Sequence, residues 1–437
     1  MPKETVRPTL GDTSWFVHDR FGMFIHWGTY ALPARHEWVK SNEKITEEKY
    51  QKYFDHFNPD LYDPREWARD AKAAGMRYVV LTAKHHEGFC LWDSQYTDYK
   101  APNTPCARDL VREYVDAFRA EGLHVGFYYS LIDWHHPEFL IDGLHPRRDD
   151  PDAEEKNKSR DMKKYAEYMR NQVSELLSNY GKIDVIWFDF SYSGSWKDTG
   201  GYRGIASMHG KGKEDWESEK LIALVRSLQL GIIIDNRTEI DQDLWTPEQW
   251  QPDTWIRDKK TGERVVWEAC QTFSGSWGYH RDESTWKSPE MLVRMLVNTV
   301  SCGGNLLMNV GPTARGAFDS RAKDALGAYA DWMRVNSRSI YGCTQADDFT
   351  GATPPDCRFT QNGDRLYLHI FAWPFRHIIL KGMAGKFDYM QFLHDASEVK
   401  FRDGIKRDDI ATPDDVAIEL PPVKPNVIVP VIEIFLK

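Results

Sequence analysis

Apolar positions along the chain gather in seven runs of strand length, at 21–27, 77–83, 124–130, 184–190, 231–236, 265–272 and 305–310. Between them lie stretches whose apolar residues recur at helical spacing. The segment 64–75 (PREWARDAKAAG) has one apolar face and a closing Gly, and 109–122 opens on a capping Asp and also ends on Gly. Segments 157–180, 218–228, 289–301 and 320–336 repeat the pattern. Strands that alternate with helices over about 340 residues predict a parallel (β/α)₈-like TIM barrel. Only seven runs are clear, so the eighth strand is expected to be short or replaced. The period changes after about Tyr341. Short alternating runs at 357–360, 365–371, 377–380, 387–393 and 427–436 are separated by turn residues such as Asn362-Gly363-Asp364. They predict an appended C-terminal all-β sandwich. The expected domains are a barrel over 1–340 and a sandwich over 341–437, with the linker at 337–353.

Composition narrows the partners. A net charge of −10 with no basic stripe argues against nucleic acid and anionic membrane surfaces. No stretch has the length and apolarity of a membrane span. The polar start of the chain lacks an apolar leader pattern, so a cytoplasmic location is expected. Self-association is compatible with this composition. The 17 Trp, 20 Tyr and 21 Phe offer faces that stack on the C–H surfaces of sugars, although a ring-rich core has the same composition. The six cysteines form no C-x-x-C pair and are read as reduced thiols, not a zinc site.

In a (β/α)₈ barrel, chemistry sits at the C-terminal ends of the strands. Those ends here carry His26-Trp27, Lys84-His85-His86-Glu87, Tyr128-Tyr129-Ser130 running on to Asp133-Trp134-His135-His136, Trp187-Phe188-Asp189, Asp235-Asn236-Arg237 and Trp267-Glu268. Polar and aromatic residues collect at one rim. Asp189 ends an otherwise apolar strand, where an idle carboxylate would be costly to bury. An ion pair with Arg237 accounts for it equally well. Glycoside hydrolysis needs a second carboxyl group. Glu37, Glu87, Glu239, Glu248 and Glu268 all qualify, and spacing does not choose among them.

The rim segments resemble the α-L-fucosidases of glycoside hydrolase family 29. The matching segments are FGMFIHWG (21–28), Glu37-Trp38, YVVLTAKHHEGF (78–89), GFYYS (126–130), IWFD (186–189), TPEQ (246–249), Trp267-Glu268, WGY (277–279) and GGNLLMNVGP (303–312). They follow the family's order over about three quarters of the chain. The resemblance implies a retaining exo-α-L-fucosidase acting on fucosylated oligosaccharides or glycoconjugates, with no cofactor and no metal. It places the nucleophile on Asp189. It carries the fucose pocket onto His26, Glu37, Trp38, His85, His86, Tyr129, Trp187 and Arg237. Trp38, Phe24 and Trp277 would wall the sugar's methyl group. It sets the acid/base at Glu248, with Glu268 in reserve. One departure stands out: many relatives have Gly soon after the nucleophile, where this chain has Phe190-Ser191. Two other readings stay open, a hydrolase of a related α-L-galactoside and an inactive fucose-binding protein.

Blander roles apply to several motifs. Adjacent residues on a strand face opposite ways, so His85-His86 is not expected to chelate an ion. His135-His136 is read as a loop cap. Gly303-Gly304 is read as close backbone packing, and Asn305 and Asn309 as satisfying backbone groups.

Overall fold

The computed structural model describes residues 5–195, 209–407 and 410–437. Seven parallel strands form one curled sheet: β1 (Phe21–Ile25), β2 (Tyr78–Lys84), β3 (His124–Ser130), β4 (Val185–Asp189), β5 (Ile233–Ile234), β6 (Glu268–Thr272) and β7 (Asn305–Val310), in the spatial order β5-β4-β3-β2-β1-β7-β6. The gap between β5 and β6 is the missing eighth position. Residues 244–249 fill it as an irregular segment with single parallel bridges, Asp235 to Leu244 on one side and Trp245 to Trp267 and Glu248 to Cys270 on the other. Pro247 has no N–H to donate to a ladder, and Gln249 takes a left-handed φ of 51°. Both features keep this segment from becoming a regular strand.

Helices follow their sequence signals. Asp63 caps Pro64–Ala73, Asp109 caps Leu110–Ala120, Ser288 caps Pro289–Ser301 and Asp319 caps Ser320–Asn336, each accepting a first-turn backbone N–H. The helix expected over 157–180 is two: Ala153–Asn157, then Met162–Ser178, which Asp161 caps through Lys163 N–H at 2.9 Å. Helix Glu47–Asp55 leaves no apolar stripe in the sequence, since its one buried side chain is Tyr50. Gly303-Gly304 packs closely: a Cβ on either would meet the rings of Trp255 or Trp267 at 2.3–2.4 Å.

The C-terminal part is two antiparallel sheets. Five strands run in the order Thr344–Gln345, Cys357–Asn362, Arg365–Ile370, Val431–Leu436 and Phe387–Phe392. Three run in the order His377–Leu380, Ile410–Glu419 and Phe401–Arg407. Leu366, Leu368, Met390, Ile418, Ile432 and Ile434 form its own core. It docks on the barrel through Trp332 Nε1–H to Val429 O at 3.2 Å and a bidentate Arg264–Asp347 pair at 2.7 and 2.8 Å. All six cysteines are buried and unpaired. Among the described residues no helix is long and apolar enough to cross a membrane.

Candidate active site

The strand ends converge on a pocket of about 350 Å³ lined by Phe24, His26, Glu37, Trp38, His85, His86, Tyr128, Trp187, Asp189, Phe190, Arg237, Glu248, Cys270 and Trp277. Each of these residues belongs to the barrel.

Asp189 closes β4. Its Oδ2 accepts from Tyr128 Oη–H at 2.7 Å, and its Oδ1 from Arg237 Nη1–H at 2.8 Å. The ion pair that competed with a functional reading is therefore real, and it lies inside the pocket. Burial and the Asp189 charge push the Tyr128 phenol well above its ordinary value, so it stays a donor. The same Arg237 Nη1 reaches Glu248 Oε2 at 2.7 Å. The two carboxylate oxygens thus lie no farther apart than those two contacts laid end to end. Arg237 is held by Nε–H to Thr246 Oγ1 at 2.9 Å, Nη2–H to Thr246 O at 3.2 Å, and the face of Trp187 4.4 Å from its guanidinium carbon. Its pKa is raised by Asp189 and Glu248 against the opposing effect of burial, so it remains a cation.

Two histidines are held as neutral rings. Asn309 Nδ2–H donates to Trp277 O at 2.7 Å, which turns Asn309 Oδ1 toward His26 Nδ1 at 2.6 Å. Ser130 Oγ–H donates to Ile132 O at 2.7 Å, so it accepts from His86 Nδ1–H at 2.7 Å. Burial, reinforced by neighbouring His85, lowers both pKa values well below the usual histidine range. A neutral ring with its proton on Nδ1 has a lone pair on Nε2. The wall therefore offers acceptors for hydroxyl groups. Glu37 adds another: its Oε2 accepts from Gly278 N–H at 2.8 Å, while buried Oε1 accepts no hydrogen bond.

His85 and His86 both line the pocket, with ring centroids 4.0 Å apart. The rule of opposite faces fails here because β2 ends at Lys84. Lys84 forms a buried pair with Asp133 at 3.0 Å, and Trp134 N–H donates to His86 O at 2.8 Å, which ties this turn to the loop after β3. Asp133 Oδ1 also accepts the N–H groups of His135 and His136, whose rings stay outside the pocket.

Three expectations need correction or refinement. Tyr129 does not line the pocket; its hydroxyl donates to Gln172 Oε1 at 2.8 Å in the core outside the sheet, and alternation along β3 puts Tyr128 inside instead. Glu268 is buried off the pocket, accepting from Tyr78 Oη–H and from Trp187 Nε1–H at 3.2 Å. Burial raises its pKa to about 7. Phe190 forms part of the wall, its ring 5.1 Å from Trp38 and 5.2 Å from His86. It does so at a φ of 76°, a conformation that costs a non-Gly residue about 1–3 kcal/mol. Sequence reasoning missed Cys270, whose thiol lies 3.7 Å from Arg237 Nη2; alternation along β6 from Glu268 was the available signal.

A model of the family described as alpha-L-fucosidase matches residues 8–338. The chain belongs to the α-L-fucosidase family. A fucosidase of this family is a glycoside hydrolase, and this chain is one. It is 30% identical over 399 residues to the plasma alpha-L-fucosidase of Homo sapiens, covering 83% of this chain and 76% of that one. Alpha-L-fucosidase isoenzyme 1 of Paenibacillus thiaminolyticus superimposes with a TM-score of 0.88 at 45% identity, covering 97% of this chain and 98% of that one. A family 29 fucosidase of Bacteroides thetaiotaomicron aligns with a TM-score of 0.81 at 27% identity over 99% of this chain and 98% of its own. That structure is of a glutamate-to-glutamine variant and holds a covalent intermediate trapped with 2-fluoro-fucosyl fluoride.

Proposed function

We propose that the protein is a retaining exo-α-L-fucosidase that removes terminal α-L-fucosyl residues from glycans or glycoconjugates, with Asp189 as nucleophile and Glu248 as acid/base. One observation carries the reading: Asp189 and Glu248 meet the same Arg237 nitrogen at 2.8 and 2.7 Å. That contact holds them within the spacing of roughly 5–5.5 Å suited to a retaining pair. Family membership and the intermediate trapped on the Bacteroides relative support the same chemistry.

In the first step an Asp189 oxygen bonds to the anomeric carbon. The glycosidic C–O bond breaks, and Glu248 gives its proton to the departing oxygen. Glu248 has to turn from Arg237 onto that oxygen to do so. In the second step the ionised Glu248 takes a proton from water, the water oxygen bonds to the anomeric carbon, and the ester to Asp189 breaks. Two inversions retain the configuration. Tyr128 and Arg237 hold the carboxylate in line. The Nε2 atoms of His26 and His86 and Glu37 Oε1 accept hydrogen bonds from the sugar hydroxyls, while Phe24, Trp38 and Trp277 give the methyl group an apolar wall. Glu268 is the weaker acid/base choice because Tyr78 and Trp187 occupy its oxygens away from the pocket.

The test is covalent capture. Incubation with 2-fluoro-fucosyl fluoride, followed by peptide mass spectrometry, is expected to show one fluorofucosyl group on Asp189. A label on another carboxylate, or none in an enzyme that hydrolyses aryl fucosides, rejects the assignment. Relative turnover of aryl L-fucoside and L-galactoside tests the sugar, since the apolar wall disfavours the extra hydroxyl of galactose.

A further inference from the structure

Trp250 stands two residues after Glu248 and is 59% exposed. Among the described residues it is the one exposed tryptophan; the others are buried or partly covered. Its backbone is fixed on both sides. Gln249 N–H donates to Cys270 O at 3.1 Å, and Gln249 Nε2–H to Thr272 Oγ1 at 2.9 Å. Gln271 Nε2–H donates to Trp250 O at 3.2 Å. Gln251 Nε2–H is tied to Met295 O at 2.7 Å and Thr299 Oγ1 at 2.8 Å. An apolar ring of this size left in water on an anchored backbone is preorganised for a partner. Two residues of chain span about 7 Å at most, so the Trp250 backbone stands on the rim beside that of Glu248. Glu248 lines the pocket and Trp250 stands just outside its lining. With Glu248 meeting the glycosidic oxygen, whatever fucose is joined to leaves past Glu248 along this rim.

We infer that Trp250 is the platform of a leaving-group subsite, which stacks on the C–H face of the pyranose sugar attached to fucose. The inference rests on the fucosidase reading and on Glu248 meeting the glycosidic oxygen. A flat indole suits a sugar face and needs no particular hydroxyl pattern, so the subsite selects a pyranose over a small or flexible aglycone.

The experiment compares wild type, Trp250→Ala and Trp250→Phe on two substrates, a fucosyl-pyranose disaccharide and α-L-fucosyl fluoride, which has no aglycone to stack. Trp250→Ala is expected to lose about fivefold to tenfold in kcat/KM on the disaccharide, mainly as higher KM, with under twofold change on the fluoride. Trp250→Phe should recover most of the loss. Equal losses on both substrates, or no loss on the disaccharide, overturns the subsite while wild-type turnover of the fluoride keeps the fucosidase reading. A wild type that turns over neither substrate overturns both.

Discussion

The two sides of the pocket are built differently. The wall from β1 to β4 is regular, buried structure in which groups facing the sugar are fixed from behind: His26 by Asn309, His86 by Ser130, Asp189 by Tyr128. The opposite side is the irregular segment 244–249, where Glu248 is 42% exposed and held by a single arginine nitrogen. The wall suits recognition, because fixed acceptors lose little freedom when hydroxyl groups arrive. The segment suits the proton transfer proposed for Glu248, which would serve first a leaving oxygen and then a water. Arg237 joins the two sides, touching Asp189 on one and Thr246 and Glu248 on the other.

The largest expected effect removes the carboxylate that the wall presents to the pocket. Asp189→Ala should lower kcat by about four orders of magnitude or more on every substrate, with unchanged circular dichroism. Near-normal turnover would end the nucleophile assignment. Next, Glu248→Ala should lose about 10²–10⁴-fold on glycosides with poor leaving groups and far less on fucosyl fluoride, with azide restoring rate. If Glu268→Ala gives that leaving-group dependence instead, proton transfer belongs to the wall and the contrast collapses.

A third prediction concerns stability. Glu268 has a folded pKa of about 7 against the ordinary 4.5. The folded protein thus holds a proton that the unfolded chain releases between those values. The contribution is complete below about pH 4.5 and is lost as pH rises through about 7, reaching a deficit of about 3 kcal/mol. Glu268→Gln should remove this pH dependence, so that its Tm relative to wild type rises between pH 5 and pH 8. An unchanged difference across that range contradicts a proton held in the floor of the barrel. The smallest effect separates neighbouring tyrosines. Tyr128→Phe should lose about tenfold in kcat whatever the leaving group, by freeing one Asp189 oxygen. Tyr129→Phe should leave kcat unchanged and cost about 1–2 kcal/mol in denaturant unfolding, since Gln172 loses its buried donor. A leaving-group-dependent loss in Tyr128→Phe would show that the two sides are not separable.

The amino-acid sequence by itself determined the barrel, the appended sheets and the strand-end residues, because periodicity and capping are local properties. The helix starts at Asp109, Ser288 and Asp319 and the run that ends in Asp189 were legible for that reason. Ordered rim segments pointed to the family. Tertiary structure decided what depends on direction and closure. Which of Tyr128 and Tyr129 faces the pocket turns on the phase of β3, which the sequence alone left open. That His85 and His86 share a pocket depends on β2 ending one residue earlier, under the Lys84–Asp133 pair. The missing eighth strand is a closure problem: residues 244–249 have no strand pattern, and they join the barrel only through bridges to residues on either side. Glu248 was separated from Glu268 by the same fact, since exposure beside Arg237 and burial behind Trp187 are properties of the closed barrel and not of the residues.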